Sequence, residues 1–88
     1  MRESDLKDRV RGFILENFMF GAAPDELGDD YSLLDSGVVD STGILELIIH
    51  LEESYAIAIA ADESVPDNLD SVNRIMAFLT RKGVAIAP

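Results

Sequence analysis

The 88-residue sequence contains no cysteine. That absence excludes disulfides, thiolate metal sites and a cysteine nucleophile. It is compatible with the cytoplasm, the expected compartment. Long apolar runs are missing too. None approaches the roughly 20 residues of a membrane span, so no stable membrane insertion is expected. Met1-Arg2-Glu3-Ser4-Asp5 is not followed by the apolar core of a signal peptide, so the chain is not expected to be secreted. Positive charge is scarce: seven Lys and Arg face seventeen Asp and Glu, for a net charge of −10. Repulsion from phosphate makes nucleic acid and anionic lipid poor partners and favours proteins with basic docking patches. What is present is apolar content of 48%, too much for a disordered chain. Residues 1–88 should form one domain, and a domain this small buries only about 60–65% of its unfolded surface. Its core is too thin for a large internal active site.

The pattern along the chain is helical, with no repeat, linker or low-complexity tract. A first helix is predicted from about Asp5 to Phe18, capped by Ser4, with Leu6, Val10, Phe13, Ile14 and Phe18 facing the core. The connection from Phe20 to Asp40 is rich in Gly, Pro and Asp. It is longer than an ordinary loop and needs anchors, for which Leu27, Tyr31, Leu33 and Leu34 are the candidates. A second helix should run from Ser41 to about Tyr55, with Asp40 as N-cap. Ala56–Ala60 reads as an extended link and Ala61–Val65 as one short helical turn before Pro66. The last helix should start after Asp70, its N-cap, and end near Lys82. Val72, Ile75, Met76 and Leu79 form its core stripe, and Gly83 stands at the C′ position. Val84–Ala87 is the one weak strand candidate, and the tail 84–88 is expected to fray. The expected fold is all-α: a small four-helix bundle of three main helices and one short helix.

At 100° per residue the second helix carries two stripes. Ile44, Leu47, Ile48, Leu51 and Tyr55 form the buried one. Thr42, Leu45, Glu46, Ile49, Glu52 and Glu53 form the other, with Ser41 at its N-terminal edge. Two aliphatic side chains among three carboxylates suit weak, electrostatically steered docking, unless the long loop covers them.

Ser41 opens a helix, which by itself is ordinary capping chemistry. A phosphodiester on its hydroxyl would meet the positive end of the helix dipole. A nucleophilic enzyme would need a base, and the only histidine, His50, lies nine residues along the same rod, about 13 Å away. No catalytic residue is therefore assigned, and His50 reads as a boundary residue. Asp25, Glu26, Asp29, Asp30 and Asp35 crowd the loop without the calcium-loop pattern, so no dedicated metal site is assigned.

The run Leu33-Leu34-Asp35-Ser36-Gly37-Val38-Val39-Asp40-Ser41-Thr42-Gly43-Ile44-Leu45-Glu46-Leu47 resembles the attachment region of acyl carrier proteins. Leu51-Glu52-Glu53-Ser54-Tyr55-Ala56-Ile57 resembles the segment closing that family's second helix, and Asn68–Ile75 the start of its fourth. The resemblance implies the carrier bundle, with 4′-phosphopantetheine on Ser41, beside Asp40, transferred from coenzyme A by a magnesium-dependent phosphopantetheinyl transferase. The thiol of that arm would hold an acyl or aminoacyl thioester for partner enzymes. It implies docking of basic acyl-processing partners at Glu46, Glu52 and Glu53, and a hydrophobic position near the arm at Ile59. Thr42 and Gly43 depart from fatty-acid-synthesis carriers. Gly43, with Leu34-Asp35-Ser36 before it, looks closer to D-alanyl and stand-alone carriers loaded by an adenylate-forming ligase. A monomer is expected. The competing reading is an unmodified acidic helical adaptor for a basic protein.

Overall fold

In the computed structural model, residues 2–84 are described. Four helices form the domain: α1 (Glu3–Phe18), α2 (Ser41–Tyr55), α3 (Pro66–Leu69) and α4 (Val72–Arg81). Single 3-10 turns at Pro24–Glu26 and Ala61–Glu63 interrupt the connections. The expected all-α architecture of three main helices and a short one is what the chain adopts. α4 packs against α1 and α3. α1 contributes Leu6, Val10 and Ile14 to the core, α2 contributes Leu47, Ile48 and Leu51, and α4 contributes Val72, Ile75, Met76, Phe78 and Leu79. Phe78 widens the predicted α4 stripe by one ring.

Two helix boundaries differ from expectation. α1 begins at Glu3, not Asp5, and Ser4 lies inside its first turn, with Arg2 at the N-cap and no side-chain cap. Glu3 and Asp5 place negative charge at the positive end of the dipole. α4 is capped by Ser71, whose hydroxyl accepts from the Arg74 N–H at 3.1 Å. Asp70 is not the cap: it terminates α3, so the short helix lies just after the expected Ala61–Val65 turn, which is a 3-10 turn at Ala61–Glu63, and Pro66 opens it at a position needing no N–H donor. At the far end, Gly83 (φ 86°) donates to Thr80 O and Val84 N–H to Leu79 O. These two bonds form the left-handed helix stop that Gly83 predicts. Val84 is thus tied to the core rather than frayed. The rest of the predicted tail and strand candidate lies outside the described residues.

The long connection between α1 and α2 is pinned from both sides. Leu27, Leu33 and Val39 are fully buried, whereas Tyr31 is exposed and is no anchor. Leu34 is half-buried. Arg11 of α1 donates to Pro24 O and Leu27 O and pairs with Asp29, which also takes Lys7. From the other side, Asp70 accepts from the Ser32 hydroxyl (2.7 Å) and the Leu34 N–H (2.9 Å), while its own carbonyl accepts from Leu33 N–H. Asn73 N–H donates to Asp29 O and its side chain to Asp30. A segment with almost no helix of its own is therefore fastened to α1, to the end of α3 and to α4.

Candidate functional site

The start of α2 is built by three residues. Asp40 is extended (φ −98°, ψ −173°), and its Oδ1 accepts from the Gly43 N–H at 2.7 Å, the expected cap. Gly43 is buried, and a Cβ there would lie 3.0 Å from both Phe18 Cε1 and Val39 Cγ1. The end of α1 and the end of the loop thus press directly onto the first turn of α2. Gly43 is read from sequence as a subfamily mark, and its steric function is visible only in the fold. Ser41, the first helical residue, is exposed. Asp40 satisfies one N–H of the first turn, and those of Ser41 and Thr42 have no intrahelical acceptor. An exposed hydroxyl beside two free N–H groups at the positive end of a 15-residue helix fits a phosphodiester.

His50 is not brought to Ser41. Its ring stacks on Phe13 of α1, centroids 3.7 Å apart and planes at 5°, and its Nδ1 lies 3.4 Å from the Ser54 hydroxyl. Burial lowers its pKa from 6.5, partly countered by Glu53. Among the described residues no group of three or more acidic or imidazole side chains is arranged to hold a metal ion. Three of the five loop acids are engaged otherwise: Glu26 caps Ala23 N–H, Asp29 pairs with Lys7 and Arg11, and Asp30 binds Asn73. No helix among the described residues is long and apolar enough to cross a membrane.

The second stripe of α2 is uncovered. Leu45 is 61% and Ile49 53% exposed, so the loop does not shield them. Thr42, Glu46 and Glu53 are exposed beside them. Glu52 differs from expectation: it is half-buried, and its carboxylate accepts from the Ile59 N–H at 3.0 Å. It is a strut that holds the link after α2 against the helix. Ile59, half-buried, packs against the core at the end of that strut. Charge is segregated along the chain. No lysine or arginine occurs between Arg11 and Arg74, while only Glu3, Asp5 and Asp8 of the acids lie outside that stretch.

Two further residues flank the site without having been singled out. Phe20 is 82% exposed just past the end of α1. With Asn17, Phe18, Val38, Thr42 and Glu46 it lines an open groove between the two helices. The only sequence signal for Phe20 is an aromatic outside the stripe of α1, followed by Gly21.

No family model matches the chain. Comparison with characterised proteins is informative. The D-alanyl carrier protein of Streptococcus mutans is 35% identical over 78 residues, covering 86% of this chain and 92% of the relative. That of Streptococcus sanguinis matches with the same identity and coverage. The chain belongs to the acyl-carrier type of carrier protein family. The D-alanyl carrier protein of Abiotrophia defectiva is 32% identical over 57 residues, 65% of this chain. A match over 86% of the carrier chain necessarily includes the Asp40–Ser41 junction and all of α2. The expected likeness to D-alanyl carriers, based on Gly43 with Leu34-Asp35-Ser36 before it, agrees with the relatives found.

Proposed function

We propose that the protein is a non-catalytic carrier that holds an acyl or aminoacyl group as a thioester on 4′-phosphopantetheine attached to Ser41. The observation that carries this reading is the exposed Ser41 hydroxyl on a capped, dipole-positive first turn. The D-alanyl carrier relatives favour an aminoacyl cargo. In the modification step, Ser41 Oγ forms a P–O bond to the phosphopantetheine of coenzyme A. The pyrophosphate linkage breaks, the nucleotide bisphosphate leaves, and the hydroxyl proton passes to a base of the transferase. An adenylate-forming ligase then supplies the acyl group to the thiol, releasing AMP. The partners are these two enzymes and later acceptors with basic patches.

Docking falls to Thr42, Leu45, Glu46, Ile49 and Glu53. Glu52 acts indirectly, by holding Ile59 at the edge of the face. Basic groups on a partner are steered by the carboxylates, and the two aliphatic side chains provide contact area. Incubation with coenzyme A, magnesium and a broad-specificity phosphopantetheinyl transferase tests the reading. Intact-mass spectra should show one phosphopantetheine on the full chain and none on Ser41→Ala. An unmodified wild-type chain would sink the carrier reading and leave the adaptor alternative.

A further inference from the structure

The groove lined by Phe18, Phe20, Val38, Thr42 and Glu46 begins at the residues on either side of Ser41, since Asp40 and Thr42 both form its wall. It continues along the helix pair. A second depression shares Asn17 and Glu46 with it and runs on past Phe13, Ile49, His50 and Glu53. α1 and α2 lie antiparallel here, because Phe18 meets Gly43 and Phe13 meets His50. The two open depressions thus adjoin along the α1–α2 seam, the first beside the attachment residue and the second further along α2.

The walls change character along it. Phe18, Phe20 and Val38 are apolar near Ser41. Asn17 Nδ2 donates to Phe13 O, which leaves Oδ1 to accept from another donor. Glu46 and Glu53 enter none of the ion pairs among the described residues. An arm with a branched apolar segment near the phosphate, two amides beyond it and a cationic end finds matching groups in that order.

We infer that the α1–α2 groove seats this protein's own pantetheine arm, which passes Glu46, and that the carboxylate of Glu53 receives the ammonium of an aminoacyl cargo. The inference rests on the modification of Ser41 proposed above. Lengths agree with it. The arm has the backbone length of about five extended residues, roughly 17 Å. From Ser41, Glu46 lies about 7.5 Å and Glu53 about 18 Å along the axis of α2, at 1.5 Å per residue. An arm extended in the groove therefore passes Glu46 and brings its end alongside Glu53. Charge complementarity selects an aminoacyl end over a neutral acyl end, because only the former has a cation to offer. Phe20 has a use in this arrangement: an aromatic ring left 82% exposed becomes the lid over the first part of the arm.

The full chain is converted to its holo form and, separately, to alanyl- and propionyl-loaded forms with amide-linked coenzyme A analogues that do not hydrolyse. Mass spectra first establish that Ser41 is modified; failure at that step overturns the function, not the seating. Proton NMR of the modified chain should then show contacts from the geminal methyls of the arm to the Phe18 and Phe20 rings. Phe20→Ala should abolish the second set. The alanyl form should differ from the propionyl form at Ile49 and Glu53. Glu53→Gln should reduce that difference by more than half. A modified chain whose arm keeps free-solution shifts, or contacts Ile59 and Leu45 instead, overturns the inference.

Discussion

The connection before α2 and the outer face of α2 are both acidic, yet their carboxylates do different things. In the connection, Glu26, Asp29 and Asp30 each have a donor or a cation, and Asp70 reaches in from α3 to bind Ser32 and Leu34. On α2, Glu46 and Glu53 have no ion partner among the described residues and surround Leu45 and Ile49. The first set replaces secondary structure as the means of holding a long segment. The second set is left to the solvent and to whatever docks there. Equal charge thus serves the fold in one region and, on the proposed function, recognition in the other.

The largest expected effect is at the clamp. Asp70→Ala removes two hydrogen bonds from a charged acceptor and should cost about 2–3 kcal/mol. In a domain of this size that lowers the melting temperature by more than about 8 °C. Measured by thermal denaturation, an unchanged melting temperature would break the division at its stability side. Next comes Gly43→Ala, at the point where the two regions touch. A methyl group forced against Phe18 and Val39 should cost about 1–3 kcal/mol and displace the start of α2. Chemical denaturation measures the cost, and the initial rate of Ser41 modification reports the displacement.

The fold was legible from the sequence where apolar period and caps agree. The α2 stripe, the Asp40 cap and the Gly83 stop needed only neighbours within a turn. Three of the misreadings share one cause: the deciding partner is distant in sequence or the core is already filled by residues elsewhere in it. Asp70 is as good a cap as Ser71 until Ser32 and Leu34 engage its carboxylate from 36 and more residues away. Glu52 matches an exposed stripe until Ile59 folds back onto it. Tyr31 has an anchor's composition, but Leu27, Leu33 and Val39 already fill the core beneath the loop. At the candidate site, Ser41 and Asp40 were readable because capping is local. Phe20 and Asn17 were not, because a groove belongs to two helices at once.

A smaller effect sharpens the stability side by pH. Asp29 has its pKa lowered from 3.8, chiefly by its hydrogen bond with Lys7, with further contributions from Lys7 and Arg11 charge. A depressed carboxyl stabilises the fold above its unfolded pKa and loses that contribution as pH falls through the folded value. Thermal melts of the wild type should therefore weaken as pH drops below about 4, more steeply than those of Asp29→Asn. Parallel acid limbs would show that the clamp does not depend on that charge.

The smallest effect on stability belongs to the recognition side. Glu46→Gln and Glu53→Gln should each change stability by no more than about 0.5 kcal/mol, as surface substitutions do. Each should slow modification by the transferase about two- to five-fold at low salt, the range of an exposed ion pair. The difference should shrink as salt is raised. A salt-independent loss would move these residues from steering to direct contact.

The stretch without lysine or arginine has a chemical consequence separate from docking. A thioester is an activated acyl group, and a neutral lysine amine nearby would capture it as an amide, permanently. This chain has two lysines, Lys7 and Lys82. Lys7 is held by Asp29, and Lys82 by Glu63 at 2.9 Å. Both amines are thereby tied near the ends of the chain, so on the proposed function the surface around Ser41 carries no lysine to consume a cargo meant for another molecule.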